Sequence, residues 1–351
     1  MAERKHILVI RLSAMGDVAM TVPVLRVFVQ TFPEVKITVL SRPVFKPFFE
    51  GIPNLDFLEA DVYGEHKRLG LIKLAKKAKA LGIDSVADLH NVIRSKIITR
   101  YLLFKWIKVA TIDKGRADKK ALVKKKSLPA DTQGKSISPL KSTHQRYADV
   151  FEKLGYPLDL QKFTPPQRKR LTPKLLGLMG VEPKKLIGIA PFAAHSSKMY
   201  PLNLMGEVIR ELDRTDKYRI FLFGGGKKEI EQLKKLENPF SNVTNVAGKL
   251  TFEEELALIS NLDLMVSMDS GNGHMAAMLG IPVITLWGVT HPAAGFAPFN
   301  QPESNQLLAD REKYPLIPTS IYGNKFPKTY EEAMKTITPE TVVSKIKEVL
   351  H

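Results

Sequence analysis

Short apolar runs alternate with stretches of helical spacing along this chain, and the pattern is laid down twice. Ile7-Leu8-Val9-Ile10 is brief and β-rich, as a buried strand is. Val18, Val22, Leu25 and Val29 then share one helical face and predict a helix over 18–31. A strand over 36–40, a short helix over 43–50 and a short strand over 55–58 follow. Next come a helix over 69–81 ended by Gly82, a strand over 85–89, a helix over 95–104 and a strand over 108–112. A helix over 142–154 closes at Gly155. Pro157, Pro165, Pro166, Pro173 and Pro183 then interrupt the pattern around one short helix, 173–179. It restarts with strands over 186–190, 218–223, 243–245, 262–268 and 282–287, separated by helices over 202–215, 228–236, 251–259 and 275–280. An irregular stretch, 297–328, precedes a last helix opened by Thr338-Pro339-Glu340.

Strands that alternate with helices imply parallel sheets covered on both faces. The length of 351 residues, with the proline-rich break, implies two such domains. We expect a first domain at 1–165, a linker at 166–185, a second domain at 186–330 and a closing helical segment, 331–351, that crosses back to the first domain. An apolar share of 44% fits a globular protein, and no apolar run reaches the 18 or so residues of a membrane span. The first residues lack a signal-peptide pattern, and the chain has no cysteine, which excludes disulfides and thiolate metal sites. A cytoplasmic location is expected.

Charge adds a preference for anions. There are 53 Lys and Arg against 36 Asp and Glu, a formal +17. The excess is dense between Lys105 and Lys126, where Lys119, Lys120, Lys124, Lys125 and Lys126 lie. This segment is either a solvated loop or a polyanion-binding surface. No helix-turn-helix, zinc-finger or RNA-binding signature accompanies it, so nucleic acid is not the expected partner.

Ligands of open parallel sheets bind at the carboxyl ends of the strands, and four turns there carry candidate chemistry. Asp269-Ser270-Gly271-Asn272-Gly273-His274 joins an apolar strand to a helix. A helix N-terminus there aims backbone N–H groups at an anion, and Gly271 and Gly273 are expected to let a ligand approach. His274 adds a donor, and a nucleotide diphosphate is the first ligand to consider. Ser13-Ala14-Met15-Gly16-Asp17 follows the first strand; Asp17 is either a helix cap or a general base. Ser196-Ser197-Lys198 is either a polar loop or a phosphate site of hydroxyls and a cation. Gly224-Gly225-Gly226 lacks both the dinucleotide and the P-loop spacing; Glu229 beyond it binds a ribose hydroxyl or favours its own helix dipole. The histidines do not fall at metal-ligand spacing, and no Asp-x-Asp motif exists, so a metal-free reaction is expected.

Together, Leu12-Ser13-Ala14-Met15-Gly16-Asp17 and Asp269-Ser270-Gly271-Asn272-Gly273-His274-Met275-Ala276-Ala277 resemble glycosyltransferase family 9, the ADP-heptose:lipopolysaccharide heptosyltransferases. Thr285-Leu286-Trp287-Gly288-Val289-Thr290-His291-Pro292 is similar to the family's next strand and turn, and Ser197-Lys198-Met199-Tyr200-Pro201 to its Lys-x-Trp-Pro element. Tyr200 replaces the usual Trp, Val289 the usual Pro, and Asn272 a usually apolar residue. The resemblance implies the GT-B architecture, two Rossmann-like domains facing across a cleft, and inverting transfer without a metal or other cofactor. It implies Asp17 as the base for the acceptor hydroxyl, with Ser13 and Gly16 of the same turn contacting the donor. Lys198, Ser196, Ser197 and the turn from Ser270 to His274 would hold the donor diphosphate, Asp269 would shape that turn, and Glu229 would face the donor ribose. It also implies a nucleotide-sugar donor, ADP-heptose or another, and a lipid-linked phosphorylated saccharide acceptor. The basic segment would then meet that acceptor or the inner face of the cytoplasmic membrane. The alternative is a GT-B transferase using another nucleotide sugar on a different cell-surface glycan.

Overall fold

A computed structural model describes residues 5–124 and 137–351. The chain divides into two compact units, Met1–Lys114 with Ser142–Thr164 and Gly115–Lys141 with Pro165–His351.

The first unit is built on β1 (His6–Ile10), β2 (Lys36–Ser41), β3 (Leu55–Glu59), β4 (Ser85–Asp88) and β5 (Lys108–Thr111). They form one parallel sheet in the order β3-β2-β1-β4-β5. β1 is buried throughout, as its unbroken apolar run requires. The helices are α1 (Met15–Ala19), α2 (Thr21–Thr31), α3 (Gly70–Ala80), α4 (Ile93–Phe104) and α6 (Thr143–Leu154). The single helix expected over 18–31 is thus divided at Met20. Ser142 starts α6 by accepting the Gln145 N–H at 3.1 Å, and Gly155, at φ 102°, ends it. Leu8, Ile10, Leu40, Leu74, Val86 and Ile98 meet in this unit's core.

The second unit contains β6 (Lys185–Ala190), β7 (Tyr218–Leu222), β8 (Val243–Asn245), β9 (Leu264–Met268), β10 (Val283–Trp287) and β11 (Gln306–Leu308). The parallel order is β11-β10-β9-β6-β7-β8. Its helices are α5 (Arg116–Lys124), α7 (Pro173–Met179), α8 (Leu202–Asp213), α9 (Lys227–Glu237), α10 (Phe252–Ile259), α11 (Gly271–Met278) and α12 (Pro339–Leu350). Ile187, Ile189, Val266, Met268, Ile284 and Leu286 form the centre of its core. Among the described residues, no helix is long and apolar enough to cross a membrane.

Two expectations need correction. The closing helix was expected to cross back to the first domain. Its Val342, Val343 and Ile346 instead lie in the second unit's core, with α12 against α8 and β9, so its apolar stripe is used within that unit. The basic segment was expected in the first domain, but Gly115–Lys141 groups with the second. The Lys119 ammonium sits 3.9 Å from the Phe296 ring centroid, and the Leu140 N–H donates to the Ala293 carbonyl at 2.8 Å.

Candidate active site

In the first unit a group of candidate residues begins where β1 ends. Arg11 leaves the strand with its side chain buried, donates to the Leu89 carbonyl at 2.7 Å, and pairs with Asp17 Oδ2 at 2.6 Å. That same oxygen accepts the Ala14 N–H at 3.2 Å. Asp17 therefore does cap its turn, yet about a third of its side chain stays exposed: 32%, against 7% for Arg11. Tyr147, from α6, donates to the Asp17 carbonyl at 3.2 Å and fixes the turn from behind. Ser13 and Gly16 are half-buried in this turn. From the neighbouring strand, His90 Nδ1 accepts the Leu12 N–H at 3.4 Å, which leaves the ring proton on Nε2. Burial, together with Arg11 and Lys114, holds the His90 imidazole down at about 3, so it is neutral at physiological pH. Asp88 clamps the His90 turn, accepting the His90 and Asn91 N–H groups at 2.9 Å and the Ser95 hydroxyl at 3.0 Å.

In the second unit the ends of β6, β9 and β10 converge. Lys198 Nζ lies 2.9 Å from Asp269 Oδ2, both side chains nearly buried at 12% and 10% exposed. The Thr290 hydroxyl donates to the same oxygen at 2.9 Å. Asp269 immediately precedes Ser270, the cap residue of α11, whose own hydroxyl makes no capping bond. The leading N–H groups of a helix lack partners within it. Among the described residues nothing is bonded to those of Gly271, Asn272 and Gly273. An anion at this end would meet those amides beside the Lys198 ammonium, whose remaining protons are free to turn toward it.

The loop that follows β11 holds the lysine in place. The Ser197 hydroxyl donates to the Gly323 carbonyl at 2.5 Å. Gly323 has φ +82°, and a Cβ there would lie 2.5 Å from Lys198 Cδ. The glycine thus lets the loop lie on the lysine stem. Ser320 Oγ accepts the Gly323 N–H at 3.0 Å. Ser197 therefore commits its proton to the scaffold, while Ser196 remains exposed. Tyr200, at the family's tryptophan position, is fully buried and donates to the Ile337 carbonyl at 2.7 Å.

Several expectations change in detail. Gly273 was expected to admit a ligand to the backbone. A Cβ there would lie 2.5 Å from Ser267 Oγ, so the glycine also serves the packing of α11 on β9. His274, expected as a donor in the first turn of α11, lies there with its side chain largely buried. Glu229 accepts the Gly225 N–H at 2.8 Å and closes its own glycine turn. Lys119 is buried at 7% exposure, which removes it from any membrane-facing surface, whereas Lys120 is exposed. Lys125, Lys126 and the side chain of Lys124 lie outside the described residues. The sequence reading missed Arg11 as the partner of Asp17, Thr290 as the partner of Asp269, and the loop at Gly323. Thr290 stood inside a run already matched to the family, which was a usable signal; for Gly323 there was none.

The model of "Glycosyltransferase family 9 (heptosyltransferase)" matches residues 71–319, well over half the chain. The chain belongs to glycosyltransferase family 9. It is 24% identical over 300 residues to a lipopolysaccharide core heptosyltransferase of Haemophilus influenzae, covering 84% of this chain and 82% of that protein. Its fold is similar to a family 9 glycosyltransferase from Veillonella parvula, at TM-score 0.74 and 20% identity over 100% and 98% of the two chains. It is also similar to the Escherichia coli heptosyltransferase WaaC with ADP-2-deoxy-2-fluoro heptose, at TM-score 0.62 and 20% identity over 98% and 99%. As a family 9 enzyme the chain is a heptosyltransferase-type glycosyltransferase with two parallel α/β domains.

Proposed function

We propose that this enzyme moves a heptose from ADP-heptose to a hydroxyl of the lipopolysaccharide inner core, with inversion and without a catalytic metal. The observation that carries the reading is the buried Lys198–Asp269 pair set directly before the open N-terminus of α11. Such a site suits a diphosphate whose charge rises as it leaves. The relatives' names supply the sugar and the acceptor.

In the proposed step, Asp17 takes the proton of the acceptor hydroxyl as its oxygen attacks the anomeric carbon. The bond from that carbon to the donor phosphate oxygen breaks on the opposite face. ADP departs with the electron pair. Lys198 and the amides of Gly271, Asn272 and Gly273 stabilise the charge that develops on it. Asp269 keeps the lysine aimed, and Arg11 keeps Asp17 aimed. Glu229, with one oxygen held by Gly225, faces the donor ribose. The acceptor is lipid-linked, and the excess of positive charge draws the enzyme to the anionic inner face of the cytoplasmic membrane.

Calorimetric titration with ADP, UDP and GDP, with and without EDTA, tests the donor half. ADP should bind selectively, EDTA should change nothing, and Lys198→Ala should lose at least tenfold in affinity. A preference for UDP or GDP would move the function to another glycan, and a requirement for a divalent ion would end the metal-free reading.

A further inference from the structure

Helix α4 ends on a tryptophan where a glycine is expected. The Trp106 N–H donates to the Leu103 carbonyl at 2.9 Å and the Ile107 N–H to the Leu102 carbonyl at 3.2 Å. This double closure puts Trp106 in the left-handed region, at φ 62°. Glycine normally takes that place, because a side chain there crowds the following carbonyl. In the same unit α3 and α6 end on Gly82 and Gly155, at φ 71° and 102°. Trp106 gains no packing in return, since it is 97% exposed. Phe104 beside it is 78% exposed, and Leu103 and Leu81, the latter at the end of α3, are exposed too. The Lys105 ammonium lies 5.2 Å from the Phe104 ring centroid, and exposed Lys108 follows. Large apolar side chains gathered in water at a strained helix end point to a surface that covers them.

That surface is anionic. α3 and α4 pack side by side. α3 carries four lysines and α4 three basic residues, all exposed, and neither helix contains Asp or Glu. Among the described residues only Lys77 of these pairs with a carboxylate, Glu65 at 3.0 Å. A second copy of this face would be repelled by it, whereas a layer of lipid phosphates meets it with opposite charge. Aromatic rings and lysines with long apolar stems suit the headgroup layer of a bilayer. Both helices start at the carboxyl edge of the sheet, where Leu69 and Ile93 are exposed, and their far ends carry Leu81, Phe104 and Trp106. The face thus has apolar side chains at both ends and cations between them.

We propose that the α3–α4 face lies flat on an anionic lipid bilayer, with Phe104 and Trp106 inserted among the headgroups. This rests on the membrane contact of the proposed function, and it puts one docking face with an apolar anchor in place of attraction by overall charge. It does not depend on the sugar transferred. Lying so, the face brings the carboxyl edge that holds Asp17 to the border of the lipid.

The test uses the full chain with vesicles of phosphatidylglycerol or of phosphatidylcholine. Trp106 and Trp287 are the two tryptophans of the chain, and Trp287 is fully buried, so a change in tryptophan emission reports Trp106. Emission should shift to the blue on phosphatidylglycerol vesicles. Trp106→Gly should melt at or above the wild-type temperature, because glycine relieves the helix end. It should nevertheless bind these vesicles roughly tenfold more weakly, and adding Phe104→Ser should take the loss to roughly a hundredfold. Lys105→Gln with Lys108→Gln should cost roughly twentyfold, at low salt only. In about 1 M salt wild type should keep a residual binding that the Trp106→Gly, Phe104→Ser variant lacks. ADP affinity should be unchanged throughout. Equal vesicle binding by wild type and that double variant, with no emission shift, would overturn this face and leave attraction by overall charge standing. A wild type that binds no vesicles would overturn both, while ADP titration would still judge the transferase reading. Dimerisation without lipid that Trp106→Gly abolishes would give the face to a second copy and overturn the proposal.

Discussion

Replacing Lys198 by Met strands a carboxylate. Asp269 is 10% exposed and would keep only the Thr290 hydroxyl at 2.9 Å. Breaking a buried pair from one side costs about 3–5 kcal/mol, because the remaining charge is left in a poor solvent. The Thr290 bond puts this case at the lower end, about 3 kcal/mol. A domain of this size loses roughly 2–4 °C of melting temperature per kcal/mol, so the second unit's transition should fall by roughly 6–12 °C. Asp269→Leu should cost a similar amount by stranding the ammonium. The double variant, apolar at both positions, should regain most of the loss, with a coupling of about 2 kcal/mol or more. Scanning calorimetry of the four proteins closes the cycle, and ADP titration of the same samples should show Lys198→Met and the double variant unable to bind well. Losses that simply add in the double variant would refute the buried-pair reasoning, whatever the effect on nucleotide.

Gly323→Ala should lower ADP affinity severalfold and destabilise by about 1–3 kcal/mol. Its Cβ meets the lysine stem in a left-handed backbone region, and denaturant melts with nucleotide titration check both effects. Gly273→Ala, pressing on Ser267 Oγ at 2.5 Å, should cost about 1–3 kcal/mol and also disturb the α11 amides. The buried neutral His90, held at about 3, binds a proton far less readily folded than unfolded. Its contribution to stability is therefore complete above pH 6.5 and is lost as pH falls toward 3. From those two values the loss by pH 5 is about 2 kcal/mol. His90→Gln should remove that part of the difference between melts at pH 7 and pH 5, and an identical pH dependence in the variant would count against burial as the cause.

The alternation of apolar runs and helical faces was enough to read two parallel-sheet units and to place most strands and helices within a few residues. Local signals wrote those elements: Ser142 and Gly155 bracket α6, and Thr338 caps α12 by accepting the Thr341 N–H at 3.2 Å. What remained hidden was decided by distant partners. β11 is three residues, too short to show a period, and exists because β10 offers an edge. The division at Met20 has a local cause that the apolar spacing hides: Pro23, in the first turn of α2, has no N–H to give the Ala19 carbonyl four residues back. The basic run after Lys105 looked like a loop of the first domain, yet Lys119 finds an aromatic face far along the chain. The site was legible as single turns but not as pairs. Arg11 with Asp17 is a pair inside one turn that carries no motif of its own, and Lys198 with Asp269 joins residues that no local spacing connects. The packing reason for Gly273 was hidden because a glycine in a ligand-like turn and a glycine under a packed helix look alike until the neighbour of the missing Cβ is known.

Turnover of ADP-heptose on a heptose-free lipopolysaccharide acceptor, in EDTA, by wild type and Asp17→Asn, tests the central claim most directly. The account predicts an inverted anomeric linkage from wild type, and in Asp17→Asn a fall in kcat of roughly a hundredfold or more with ADP affinity intact. A retained anomeric configuration, or an Asp17→Asn enzyme that turns over as fast as wild type, would contradict it.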